Sequence, residues 1–211
     1  MVDEVKKRGR EVLKILKKQY PEVHCTLEYR TPFQILIATI LSAQCTDKRV
    51  NQVTADLFKK YTTPNDYLRV SLEELEDDIR STGFYHHKAK NIRALCEILR
   101  ARYHNEVPRT MEDLVQLPGV GRKTANVVLG NAFGISSGFV VDTHVGRLSR
   151  RLGLSEETDP KKVEQDLVRI FPQKEWIDAS HRLIALGREY CSARKKRCSE
   201  CPMIKICPQN E

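Results

Sequence analysis

Four cysteines crowd the end of the chain as Cys191-x6-Cys198-x2-Cys201-x5-Cys207. Thiolates are soft ligands, and four within 17 residues suit Zn²⁺ or an iron–sulfur cluster. Disulfides are poor candidates in a chain with no secretory signal. Zinc sites usually pair two short knuckles, and here only Cys198-x2-Cys201 has that form. The longer arms must wrap a larger object, which favours a [4Fe–4S] cube, with zinc as the alternative. Pro202 and Pro208, each following a thiol, fit a chain turning sharply around the site. Between the first two ligands stand Arg194, Lys195, Lys196 and Arg197. A loop pinned at both ends by metal bonds would present these cations rigidly, as a grip on phosphates requires; the plainer reading is a solvated loop. Of the other cysteines, Cys96 lies on an apolar helical face and reads as a small buried hydrophobe.

A second constellation lies upstream. Leu117-Pro118-Gly119-Val120-Gly121 links two helical patterns, and its glycines permit left-handed backbone and close approach. The next helix starts at once, so its free N–H groups face the turn and form an anion site. The turn lacks the length of a P-loop and no strand precedes it, which disfavours nucleotide binding. Arg122 and Lys123 follow immediately. The positive end of a helix disfavours an ammonium, and partial burial would do so further, which makes Lys123 a candidate amine nucleophile. Asp142 opens Asp142-Thr143-His144 and reads either as a helix cap or as a functional carboxylate. Gln44, taken alone, passes as a surface amide.

The elements that must position these residues read as almost entirely helical. Thr31-Pro32-Phe33-Gln34 is a start signal with a cap, a proline at the first position and a box-closing Gln. Phe33, Leu36, Ile37, Ile40 and Leu41 follow at 3.6-residue spacing. The same reasoning predicts helices over Asp47–Lys60, from Ser71 through Ile79, over Lys88–Arg102, from Thr110 to near Gln116, and over Arg122–Gly134. Others are predicted over Asp142–Leu152, from Asp159-Pro160 through Ile170, and from near Pro172 to Tyr190. With the first segment this makes about ten or eleven helices. Ser136 to Asp142 contains β-formers but is too short for a strand and reads as an extended connector.

The chain has 211 residues, 40% hydrophobic and 30% charged, and a formal net charge of +8. That length supports one fair-sized core or two small ones. No apolar window is long enough for a transmembrane helix. The first ten residues are basic without a following apolar stretch, and Asp3, Glu4 and Glu11 argue against a mitochondrial presequence, so a cytoplasmic protein without membrane association is expected. The cations are clustered: six Lys or Arg from Arg80 to Arg102, five from Val115 to Arg151 and six from Arg188 to Cys207. An acidic run, Glu73 to Asp78, opposes them. This is a polar surface with a side; it suits a polyanionic partner, and it also suits a basic protein with no nucleic-acid role.

Taken together these segments resemble the endonuclease III family of base-excision DNA glycosylases. Residues 117–126 resemble its helix–hairpin–helix segment, Val141-Asp142-Thr143-His144 its following loop-plus-aspartate motif, and Leu41-Ser42-Ala43-Gln44-Cys45-Thr46-Asp47 its early signature. The four cysteines match its [4Fe–4S] loop. The resemblance runs from about Thr31 to Cys207 in the family order.

The resemblance implies an all-α, two-domain helix-hairpin-helix DNA glycosylase fold. One domain is a six-helix domain over residues 25–135, and the other is a discontinuous iron–sulfur domain over residues 1–24 plus 136–211. It implies a monomer that acts on double-stranded DNA containing damaged pyrimidines or abasic sites. Lys123 becomes the nucleophile that forms a Schiff base, and Asp142 the carboxylate that assists it. Gly119, Gly121 and Arg122 would hold a backbone phosphate. Gln44 would fill the gap left by a flipped nucleotide, and Phe84 takes the wedge position where relatives commonly carry leucine. His144 would face the lesion or its phosphate, Lys195, Lys196 and Arg197 would grip the DNA backbone, and Cys191, Cys198, Cys201 and Cys207 would ligate one [4Fe–4S] cluster. Two alternatives stand beside this reading. One is a monofunctional glycosylase for mismatched thymine or uracil, against which Lys123 argues. The other is a DNA-binding structural or redox protein.

Overall fold

The computed structural model describes residues 2–209, so positions 1, 210 and 211 of the expected domain spans lie outside the described residues. Eleven α-helices are present among them: α1 (Val2–Gln19), α2 (Pro32–Leu41), α3 (Asp47–Lys60), α4 (Pro64–Arg69), α5 (Leu72–Ile79), α6 (Tyr85–Arg102), α7 (Met111–Leu114), α8 (Arg122–Phe133), α9 (Thr143–Arg151), α10 (Pro160–Ile170) and α11 (Trp176–Glu189). Two compact units account for them, one comprising Met1–His24 with Ser136–Glu211 and the other Cys25–Ile135.

The contiguous unit is organised around α2. Thr31 accepts a hydrogen bond from the Gln34 amide and the Gln34 side chain accepts one from the Arg30 amide, a reciprocal box that fixes where the helix starts. From Phe33 to Leu41 every residue except Gln34 is buried, so α2 is apolar all round, as a central helix must be. It packs against α3, α6 and α8, while α4 and α5 pack on α6. Thr46, Ser71 and Thr110 cap α3, α5 and α7 through their hydroxyl oxygens.

The discontinuous unit packs α9 against α11 and α1 against α10 and α11. Val12 and Leu16 of α1 share a fully buried core with Leu148, Leu167, Leu183 and Leu186. Asp159 caps α10 through the Lys161 and Lys162 amides.

Two boundaries and one helix differ from expectation. The helix expected over Lys88–Arg102 begins one turn earlier, at Tyr85, after a left-handed Phe84. The last long helix begins at Trp176 rather than near Pro172, because Gln173–Glu175 forms a 3-10 turn first. The short α4 was not anticipated; Thr63 and Asp66 form its capping box.

Candidate functional site

Within the contiguous unit three loops carry the candidate residues. The hairpin runs from α7 to α8. The buried Leu117 and Val120 anchor it, and the Val120 amide donates to the Leu117 carbonyl at 3.1 Å. Gly119 has φ +77°, and a Cβ there would stand 3.1 Å from the Cβ of Asn91 on α6. Both the left-handed backbone and the close approach therefore require glycine. Gly121 is the N-cap of the 12-residue α8 and, as glycine, brings no side chain of its own to cap it. The positive end of a helix favours an anion. Lys123 lies in the first turn of α8 and is exposed, so the partial burial expected for this amine is not observed.

Gln44 follows α2. It is exposed and left-handed at φ 53°, in a turn closed by the Cys45 amide donating to the Ser42 carbonyl at 3.1 Å. Phe84 is 61% exposed and also left-handed, at φ 50°. Ahead of it, Gly83 has φ 72° and ψ 156°, a conformation that L-residues avoid. An apolar ring pushed into solvent on strained backbone is not explained by packing.

The discontinuous unit holds the carboxylate and the thiols. Asp142 is half-buried and caps α9, its Oδ1 accepting from the Val145 amide at 2.8 Å. Two residues on, His144 packs against Gly187 of α11 so closely that a Cβ on Gly187 would stand 3.0 Å from its Nδ1. Burial lowers the His144 pKa, as do Arg147 and Arg188, against an opposing pull from Asp142. Arg147 organises this corner. Its Nε donates to the Cys191 carbonyl at 3.0 Å, its terminal nitrogens donate to the Thr143 and Gly187 carbonyls at 3.3 Å, and one of them contacts His144 Nδ1 at 3.0 Å. Sequence reading passed over Arg147 and Arg151. Their helical spacing from Thr143 and His144 was visible, but their partners 40 or more residues onward were not.

Cys191, Cys198, Cys201 and Cys207 line one cavity, whose wall is completed by Leu148, Leu186 and other apolar side chains. Among the described residues no group of three His, Cys, Asp or Glu side chains is gathered so as to hold a metal ion. Burial raises the Cys201 thiol pKa, and the other three sulfurs add to this through their charge. Arg151 stands against the set, donating to Cys191 Sγ at 3.0 Å and to the Ser192 carbonyl at 3.1 Å. The basic loop is tightly wound. Ser192 Oγ donates to the Lys195 carbonyl at 2.8 Å and accepts from the Lys195 amide at 2.9 Å. Lys195 and Lys196 are exposed. Arg197 is already paired with Glu200 and lies over the Tyr190 ring, so its charge serves the loop before any partner.

Comparison with known proteins adds an independent line. A family model described as "HhH-GPD superfamily base excision DNA repair protein" matches residues 37–173. Endonuclease III of Synechocystis sp. (strain ATCC 27184 / PCC 6803 / Kazusa) is 52% identical over 203 residues, covering 96% of this chain and 93% of the relative. Among solved structures, a non-covalent endonuclease III–DNA complex matches with TM-score 0.94 at 49% identity, covering 97% of this chain and 96% of the other. A trapped endonuclease III–DNA covalent intermediate matches with the same TM-score, identity and coverage.

Proposed function

Because the chain belongs to the endonuclease III family of the HhH-GPD superfamily of base excision DNA repair proteins, we infer that the residues described above divide among nucleophile, charge stabiliser, phosphate grip and cluster ligands. The chain is a base-excision repair DNA glycosylase and abasic-site lyase, acting on damaged pyrimidines and abasic sites in duplex DNA. The observation that carries the residue assignment is the exposed Lys123 in the first turn of α8, directly after the glycine turn at Gly119 and Gly121. It agrees with the covalent intermediate trapped in a relative.

The chemistry follows from an amine and a carboxylate acting on a flipped nucleotide. Lys123 Nζ, as the free amine, forms a bond to C1′. The bond from C1′ to the base breaks, its electron pair leaves with the base, and the base takes up a proton. Opening of the sugar ring converts the adduct to an iminium. Loss of a C2′ proton then expels the 3′ phosphate oxygen, cutting the strand by β-elimination, and water releases the lysine. Asp142 supplies negative charge as the sugar becomes positive and assists the proton transfers. The hairpin N–H groups at Gly119 and Gly121, with Arg122, hold a backbone phosphate. His144, whose pKa burial lowers, is assigned to the lesion or its phosphate. Gln44 fills the space of the flipped nucleotide and Phe84 wedges the stack.

Cys191, Cys198, Cys201 and Cys207 are assigned to one [4Fe–4S] cluster. Four thiols lining one cavity, with only Cys198 and Cys201 at the short spacing of a zinc knuckle, fit a cube better than zinc. When bound, the cluster supplies rigid covalent anchorage for the loop that carries Lys195 and Lys196. Among the described residues no helix is long and apolar enough to cross a membrane, and we place the chain in the cytoplasm with the DNA.

Borohydride reduction in the presence of an abasic duplex tests the assignment. A covalent protein–DNA adduct is expected from the parent and none from Lys123→Gln. An undiminished adduct from that variant would assign the nucleophile to another amine.

A further inference from the structure

Lys88 is a lysine out of place. It is 4% exposed, in the first turn of α6, where the helix dipole disfavours a cation. Its Nζ donates to the Leu41 carbonyl at 2.8 Å and to the Thr82 carbonyl at 2.9 Å. Leu41 is the last residue of α2 and Thr82 the last of the 3-10 turn Arg80–Thr82. Carbonyls at helix ends lack intrahelical donors, and an ammonium is a natural partner for them. One buried charge thus joins two chain ends that are distant in sequence. Gln44 lies three residues beyond the first, and Phe84 two residues beyond the second.

Both of those residues are left-handed, at φ 53° and φ 50°. That conformation is costly for a non-glycine residue and persists only where the surroundings over-determine it. The described surroundings that the two turns share include this ammonium. Packing alone does not account for Lys88: a leucine or methionine would fill the space without burying a charge. Burial lowers the Lys88 pKa, and the nearby Cys45 of the Gln44 turn opposes that shift.

We propose that Lys88 is a positioning residue for lesion recognition, its ammonium locking the Gln44 turn and the Phe84 turn into one rigid probe that meets the duplex as a unit. This rests on the reading of Gln44 as gap filler and Phe84 as wedge. The ammonium acts through those two residues and takes no part in the chemistry at C1′.

The test compares two substrates in the full chain: a damaged-pyrimidine duplex, which must be opened, and an abasic site in single-stranded DNA, which has no opposite strand to wedge. In single-turnover assays Lys88→Met is expected to lose about tenfold on the duplex, the equivalent of one charge-assisted hydrogen bond, while cutting the single strand within about threefold of the parent. Lys88→Arg, which keeps charge and donors for both carbonyls, is expected to recover most of the duplex rate. An unchanged duplex rate in Lys88→Met, or equal loss on both substrates, overturns the proposal. Failure of Lys88→Met to fold beside a Lys88→Arg that behaves as the parent also overturns it, since the ammonium would then serve the fold alone. If both variants fail to fold, the proposal is likewise overturned. Gln44→Ala and Phe84→Ala report on the underlying reading. If neither slows the duplex reaction, that reading fails; if they do and Lys88→Met does not, the positioning role alone fails.

Discussion

Arg151 donates to the sulfur of Cys191 across 3.0 Å. A cation on α9 therefore addresses one of the four thiols before any metal is considered. Hydrogen bonds to ligand sulfur stabilise the thiolate form and tune an iron–sulfur centre. Arg151→Leu is expected to release iron to a chelator faster than the parent while its helices remain folded. Circular dichroism with timed iron release would decide it, and equal rates would make the contact incidental. Cys198→Ala should go further, losing the yellow-brown colour and most of about four irons per chain.

Asp142 caps α9 and is proposed as the charge stabiliser, and one substitution can separate the two roles. Asparagine caps a helix about as well as aspartate. Asp142→Asn should therefore keep α9 and DNA binding, yet slow single-turnover base release by about 10²–10³-fold, as expected when a charge aimed at the transition state is removed. Lys123→Gln should lose base release and trapping by three orders of magnitude or more, about what loss of a nucleophile costs. An Asp142→Asn rate equal to the parent would leave that residue as a cap and nothing else.

Two histidines of the discontinuous unit give its stability a pH dependence. Burial lowers the pKa of His181, with contributions from His24, Arg182 and Arg188 and opposition from Asp178, and burial likewise lowers that of His144. The unfolded chain, with ordinary imidazoles near about 6.5, takes up protons first as the solution is acidified. The stabilisation is full above that pH and is lost on going down through it toward the lowered folded values. Tm should fall between pH 7.5 and pH 5.5, at about 2–4 °C per kcal/mol for a chain of this size. His181→Gln should shrink that fall; an unchanged difference would remove His181 from the account.

The basic loop and the Gln44 turn should separate in salt titrations. Lys195→Ala is expected to weaken binding to intact and damaged duplex alike and to reduce the salt slope by about one unit. Arg197→Ala should act mainly on the loop itself, since its guanidinium is engaged by Glu200. Gln44→Ala should chiefly lose preference for damaged DNA with the slope unchanged. A slope unaltered by Lys195→Ala would make the loop a solvated face.

Local signals were read well and tertiary ones poorly. The start of α2 was legible because Thr31, Pro32 and Gln34 act within four residues of one another. The Gly119 turn was legible because glycine is the one residue that a φ of +77° readily admits. α4 was missed because six residues give too few positions for a periodicity, although Thr63 and Asp66 marked its start. Lys88 read as one more cation in a basic stretch, since nothing within its own helix reveals the carbonyls 47 and 6 residues away. Arg147 was invisible for the same reason: its partner in Cys191 lies 44 residues on.

The interrupted unit has a consequence for synthesis on the ribosome. Residues 25–135 form a contiguous body that holds its own apolar core once Leu129 has emerged. The helix made first, α1, has to wait: its Val12 and Leu16 find their partners in Leu167, Leu183 and Leu186. The four thiols appear last of all, so on the proposed cluster assignment iron reaches them only after residues 25–135 have been made. On that assignment, scarcity of iron or sulfide would leave residues 25–135 folded and the discontinuous unit unfinished, its exposed leucines open to chaperones and proteases.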